Sequence, residues 1–430
     1  MMYPPLGAAV IIVNVRLVYP KNLTDARAEM RKIETDGSIM QSVVSQAVPL
    51  CMHVEDIPFF AADVIKQEMF NSGGTAVIQK DSLKGSIENT NALIIGNLDQ
   101  VNKLIMKLGS QHEILSGIGS KIQFVTQVIE NKEKVCRHYC CGRHKLEIGK
   151  KTYIMGILNI TDDSFSGDGL LADESDTSFI KETTNKPSTK KCQDSIIDVA
   201  CRKAEKMVAD GADIIDVGGE STRPGYTAID DKEELARILG VVEKLVKTLN
   251  VPISVDTSKL YVAENVLKAG AHIINDVNGL IKEPKIAKLA ASYGAGVIAM
   301  HNPDSPIDGD ILSHITRFLR KSVDIALKAG LKQENIILDP GIGFGKTVEQ
   351  NLEIMRRLDE LKCVGYPVLL GTSRKSMIGK VLGLPVNERV EGTAATVTLG
   401  IAKGSDFIRV HDVKEMYRVV KMSDAMVRGV

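Results

Sequence analysis

Neither sign of charge dominates this chain: its 430 residues carry 54 Lys and Arg against 54 Asp and Glu. A balanced chain lacks the electrostatic footprint that nucleic acid or an anionic membrane surface selects, so neither is expected as a partner. No apolar run approaches the ~20 residues that cross a bilayer as a helix. The opening MMYPPLGAAVIIVNVRLVY has no basic segment before its short Val- and Ile-rich core, so it predicts a first β-strand and not a signal peptide. The cysteines are seven, an odd number at irregular spacings, which argues against a disulfide framework. The stretch from Cys136 to His144 contains no CxxC pair, so it predicts a strand and turn and not a zinc site. The expectation is a soluble cytoplasmic protein with reduced thiols.

Along the last two-thirds of the chain, eight short apolar runs each end on a polar or charged residue. They are YIMGILN (Tyr153–Asn159), DIIDVGGES (Asp213–Ser221), PISVDT (Pro252–Thr257), HIIND (His272–Asp276), GVIAMH (Gly296–His301), NIILDP (Asn335–Pro340), PVLLGTSRK (Pro367–Lys375) and DFIRVH (Asp406–His411). Buried parallel strands are apolar on both faces, so the polar end marks where the chain surfaces. Helical periodicity fills the gaps, as in Asp194–Asp210, Glu233–Leu249, Ile311–Leu327, Glu349–Leu361 and Val413–Met426. Eightfold strand–helix alternation predicts a (β/α)₈ TIM barrel over residues 146–430. A doubly wound sheet competes less well, because it gathers its polar ends at one switch point. Residues 1–145 predict a smaller N-terminal α/β domain. Its expected strands are Ala9–Val15, Thr75–Gln79 and Ala92–Ile95, and its expected helices Asp25–Ile33, Pro58–Met69 and Asp99–Leu108. The polar, aperiodic stretch Asp173–Lys191 reads as an insertion in the first strand–helix connection.

A barrel brings all eight strand ends around one mouth, so their polar residues form a set in space. One part of the set, Asp256, Asn275 and Asp339, offers acceptors and an amide to a flat heterocycle rich in N–H groups. The other part, Asn159, Thr222, Arg409 and His411, suits a polyanion, with a hard cation beside Asn159. Asp256 and Asp276 also invite a plainer role as caps of the following segment. The glycine-rich PGIGFGKT (Pro340–Thr347) nearly matches a nucleotide-binding GxxxxGK[ST] loop. Pro340 stands where the first Gly must be, so the stretch predicts a tight turn below a ring pocket.

Four segments resemble dihydropteroate synthases: MGILNITDDSFSGDG, DIIDVGGESTRPG, DPGIGFGKT with GTSRKS, and IRVHDV at the last strand. The resemblance implies a TIM-barrel enzyme of folate biosynthesis, homodimeric and magnesium-dependent. Such an enzyme condenses 6-hydroxymethyl-7,8-dihydropterin diphosphate with p-aminobenzoate, giving 7,8-dihydropteroate and pyrophosphate. It further implies that Asp256, Asn275, Asp339 and Lys375 hold the pterin. Asn159, Thr222, Arg409 and His411 are implied to hold the diphosphate, with Asn159 touching the metal. Phe165, Thr222, Pro224, Lys375 and Ser376 would form the aminobenzoate site. Lys375, Asp339, Asn159, Arg409 and His411 are the implied catalytic set. The first loop departs from the family pattern at Asp162, Gly167 and Asp168. Two alternatives use the same barrel: a methyltransferase working between methyltetrahydrofolate and a corrinoid, and a catalytically silent pterin binder. For residues 1–145 the expectation is oligomerisation or partner docking.

Overall fold

The computed structural model describes residues 16–20, 22–79, 88–130, 138–160, 190–220 and 229–429. The chain divides into two compact units, Met1–Glu133 and Lys134–Val430. No described helix is long and apolar enough to cross a membrane.

The first unit is a three-stranded antiparallel sheet with helices. Strands β1 (Pro49–Pro58), β2 (Thr75–Ile78) and β3 (Asn89–Asn97) lie in the order β1-β3-β2. Alternation along β3 buries Ala92 and Ile94 against Ile65 and Met69 of the helix Phe59–Asn71. Asn97 then caps the helix Leu98–Gly109, receiving the Gln100 N–H while the Gln100 side chain returns to the Asn97 N–H. Two elements had no clear sequence signal. Strand β1 carries His53, Glu55 and Asp56 and is broken by a bulge between Val54 and Ile57, which blurs its alternation. The helix Glu113–Ile129 is rich in β-branched residues and contains two glycines, so its propensity is weak. The strand expected at Ala9–Val15 lies outside the described residues.

In the second unit a hairpin precedes the barrel. Strands β4 (His138–Cys141) and β5 (His144–Glu147) turn at Gly142, whose φ of 55° a glycine adopts without strain. Next come β6 (Tyr153–Asn159), β7 (Ile214–Gly218), β8 (Ile253–Asp256), β9 (Ile273–Asp276), β10 (Gly296–Met300), β11 (Ile336–Asp339), β12 (Leu369–Leu370) and β13 (Phe407–Val410). Neighbours in sequence are neighbours in the sheet, all parallel. β13 pairs back onto β6, and a bridge from Leu338 to Val368 joins β11 to the short β12, closing the barrel. The expected (β/α)₈ architecture is what forms.

Pleat parity sorts the strand residues into two cores. Ile154, Leu158, Ile215, Val217, Val255 and Ile274 face the helix layer, which meets them with stripes such as Leu235, Ile238, Val242 and Leu245 of Asp231–Thr248. Met155, Ile214, Ile273, Ile298, Ile337 and Phe407 face the lumen. The hairpin fills the same inner core. Fully buried Tyr139 stands edge-on to Phe407, ring centroids 5.8 Å apart, and Asn335 donates to the Cys140 carbonyl at 2.7 Å. The end of the barrel where the strands begin is therefore a packed apolar floor, and polar chemistry is confined to the other end.

Candidate active site

Register carries the polar residues to one level. Asn159, Gly218, Asp256 and Asn275 are successive partners across β6, β7, β8 and β9, and Met300 is level with Asp339 across β10 and β11. Parity then separates neighbours. Asn275 is buried and bonded to Asp216 in the lumen, whereas Asp276, one residue on, serves a backbone turn. Asp276 accepts the N–H of Asn278 and of Leu280, both at 2.8 Å, and so holds Leu280 at its left-handed φ of 64°. His301 likewise leaves the lumen. It is fully buried against His314 at 2.9 Å and the Phe318 ring, where burial drives its pKa down to about 2 and keeps the ring neutral.

The centre of the lumen is a charged knot that the sequence reading did not anticipate in full. Arg409 donates from Nε to Asp216 at 2.7 Å and from Nη2 to Asp256 at 2.8 Å, and Asn275 donates to the same Asp216 oxygen at 3.2 Å. Asp216 is wholly buried, in the middle of β7. The clue was a second Asp inside DIIDVGG, where a continuous apolar run should stand. Burial raises the Asp256 carboxyl well above its ordinary value; Arg409 opposes the rise, and the Asp216 and Glu234 charges add to it. Burial pulls at the Arg409 guanidinium too, but its two carboxylate partners leave its pKa above the ordinary range. Arg409, expected at the diphosphate, is thus tied to a residue expected at the ring.

Asp339 and Lys375 meet across a glycine loop. Asp339 accepts the Gly341 N–H at 2.7 Å, and burial raises its pKa against the pull of Lys375, Arg409 and Lys346. Gly341, Gly343 and Gly345 all have positive φ, and a side chain on Gly341 would strike the His301 carbonyl. Lys346 closes the loop from within, donating to the carbonyls of Gly341 (2.7 Å), Phe344 (3.0 Å) and His301 (3.3 Å). The lysine of the GxxxxGK[ST]-like stretch is therefore a loop clamp. The loop in turn sets the Phe344 ring 4.1 Å from the Lys375 ammonium, a cation–π contact. On the other side Arg374 adopts φ 56° and pairs through two bonds with Asp412, while Arg389 donates to the carbonyls of Arg374 and Lys375. Lys375 is consequently fixed as the residue before the helix Ser376–Leu382. His411 is held by Ser373, which accepts its backbone N–H at 3.1 Å and lies 3.0 Å from Nδ1.

Lys259 ties together the two ends of the connection that follows β7. Its ammonium reaches Glu220 (3.0 Å), buried Glu234 (2.8 Å) and the carbonyl of Ile229 (2.7 Å), and Glu220 also accepts the Ile229 N–H at 3.0 Å. Residues 221–228 between them, with Thr222 and Pro224, lie outside the described residues. So do Phe165, the departures Asp162, Gly167 and Asp168, and the insertion up to residue 189; Lys190 and Lys191 begin the helix Lys190–Ala209. Among the described residues no three His, Cys, Asp or Glu side chains form a metal cluster.

Comparison with known proteins bears on what this site does. Residues 180–411 match the model of a family described as pterin binding enzyme. A dihydropteroate synthase of Clostridium beijerinckii is 48% identical over 288 residues, 67% of this chain and 98% of that protein. A probable bifunctional folylpolyglutamate synthase/dihydropteroate synthase of Haloferax volcanii is 33% identical over 95% of this chain, which spans 47% of that longer protein. Among solved structures, a dihydropteroate synthase from Clostridium difficile, determined in the presence of pteroic acid, is 48% identical. It superposes with a TM-score of 0.58, covering 65% of this chain and 98% of its own.

Proposed function

Because the chain belongs to the dihydropteroate synthase family of pterin-binding enzymes, we propose that its barrel mouth binds pterin on one side and diphosphate on the other. The activity is the family's: a pterin-methylene transferase that makes 7,8-dihydropteroate and pyrophosphate from dihydropterin diphosphate and p-aminobenzoate. The corrinoid methyltransferase and the silent binder have no support among these relatives. The observation that carries the assignment of the site is the convergence of Asp256, Asn275 and Asp339 on one lumen beside Lys375.

In this reading Asp339 and Asp256 accept the ring N–H groups, Asn275 complements them, and Lys375 lies over the ring edge. Electron donation by the dihydropterin expels diphosphate from the methylene carbon. The cation left on the ring is stabilised by the carboxylates below it, and the neutral aromatic amine then attacks. No protein nucleophile is required, so the residues act by orientation, charge and exclusion of water. Arg409, His411, Thr222 and Asn159 receive the diphosphate, and Phe165, Pro224 and Ser376 complete the aminobenzoate site. Magnesium suits this donor set only as an ion carried by the diphosphate, since Asn159 offers one neutral oxygen and, among the described residues, no cluster of three carboxylate, His or Cys side chains accompanies it. When bound, it would neutralise charge on the leaving group.

A homodimer and a cytoplasmic location belong to the same proposal. Support for the dimer comes from Leu399, Tyr417, Met422 and Met426, large apolar side chains left exposed on the helices Val390–Lys403 and Val413–Val427. Met422→Lys should shift the sedimentation profile towards monomer. For the unit Met1–Glu133 we propose assembly or docking, consistent with a relative that is matched over 98% of its length by 67% of this chain. The activity is tested by pyrophosphate release from dihydropterin diphosphate with p-aminobenzoate; no release from folded protein would refute it.

A further inference from the structure

The resemblance to the family gives a role to Arg409 and to Asn275 but none to Asp216, the wholly buried carboxylate that both of them share. Asp216 cannot serve as solvent-facing acid or base, and it sits one pleat below the level of Asn159, Gly218 and Asp256. Its Oδ2 takes the Arg409 Nε–H and the Asn275 amide, while its Oδ1 is buried without a hydrogen-bond partner. A buried carboxylate oxygen without a partner is costly, so its retention calls for a use. Arg409 meanwhile divides its Nε/Nη2 edge between Asp216 Oδ2 and Asp256 Oδ2. That edge is the fork that grips one carboxylate by two parallel bonds.

We propose that Asp216 is a positioning residue that keeps Arg409 in the site when the pterin ring claims Asp256. The ring N–H groups take over the Asp256 carboxylate, the freed Arg409 Nη2 passes to the vacant Asp216 Oδ1, and the fork closes on Asp216 alone. The hydrogen-bond count balances: Asp256 loses one donor and gains another from the ring, and Oδ1 acquires the partner it lacks. Arg409 is then held from below by Asp216 and Asn275 is held beside it, while the outer guanidinium N–H groups face the diphosphate. This rests on the ring and diphosphate assignments made above, and it supplies the coupling between them.

The test is a double-mutant cycle with Asp216→Asn and Arg409→Met, read both by thermal unfolding and by steady-state kinetics. Asp216→Asn alone should lower Tm. In the Arg409→Met background the same change should raise Tm, because it removes one of two buried carboxylates that have lost their common cation. In kinetics, Asp216→Asn should cut kcat/KM for dihydropterin diphosphate by roughly tenfold to a hundredfold, the scale of one charge-assisted hydrogen bond. The KM for p-aminobenzoate should not move, and the loss should vanish in the Arg409→Met background. Equal Tm changes in both backgrounds, or kinetic losses that add, overturn the proposal. If Asp216→Asn alone does not fold, the comparison of Arg409→Met with the double variant decides: a double variant no more stable than Arg409→Met overturns it. Failure of the activity itself shows separately, as absence of turnover in the unaltered chain.

Discussion

Mild acid should weaken the barrel floor through His272. This residue begins β9's approach from the hairpin side, buried at 6% exposure, with its ring against His144 at 4.6 Å between centroids. Its Nδ1 accepts the Ile253 N–H at 3.1 Å, so the folded state needs that nitrogen unprotonated. Burial, with His144 and Arg143 nearby, lowers the His272 pKa to about 4. For a base with a depressed folded pKa, the neutral form favours folding, so stability is complete above the unfolded value and falls as pH drops towards the folded one. With an unfolded pKa of ~6.5, the loss between pH 7 and pH 5 is about 2 kcal/mol, approaching a plateau of about 3 kcal/mol below pH 4. His272→Gln keeps an acceptor for Ile253 and removes the titration. The assay is urea unfolding at pH 7, 6 and 5 followed by near-ultraviolet tyrosine dichroism; the chain has no tryptophan, and seven of its nine tyrosines lie after residue 133. The variant's stability should fall by about 2 kcal/mol less than the parent's over that range, whatever its stability at pH 7. Parallel losses in the two proteins would refute the reasoning.

Other outcomes are expected. Lys375→Ala should reduce condensation by at least ~100-fold at unchanged far-ultraviolet dichroism, since it removes the cation proposed to lie over the ring edge without touching a core contact; near-parental turnover would sink the site assignment. Asp276→Ala should cost roughly 2–4 kcal/mol in urea unfolding by stranding two backbone N–H groups, with burial of Asp276 offsetting part of the loss, yet leave kcat of the folded protein intact. Its neighbour Asn275→Ala, which also costs stability by removing a donor from buried Asp216, should in addition lower kcat/KM for dihydropterin diphosphate, so equal kinetic behaviour of the pair contradicts the parity argument. Removing residues 1–133 should leave an active barrel, whereas removing residues 1–147 takes away Tyr139 and the floor, at a cost of at least ~3–5 kcal/mol in barrel stability.

Much of this fold was visible as text. YIMGILN became β6 residue for residue, and the run Asn335–Pro340 holds β11, one residue shorter at each end. The helix Val413–Val427 lies within a residue of its predicted limits at both ends. Less regular elements were harder to read: β12 keeps only two residues, because closure there needs just one bridge to Leu338. In the site, Asn275, Asp339 and Lys375 stood out as polar residues ending apolar runs. Asp216 did not, since it sits inside its strand, and the clamping roles of Lys346 and Lys259 leave no trace in local pattern.

The sequence by itself determined the alternation of strand and helix, the inventory of polar strand ends and the family they resemble, because periodicity and motifs are local properties. Only the closed barrel decided which ends cooperate. A change of one residue reverses the pleat, sending Asn275 into the lumen and Asp276 into a turn. Arg409 meets Asp216 and Asp256 across 193 and 153 residues of chain, and no local pattern encodes a hydrogen bond that ring closure alone brings within 2.8 Å.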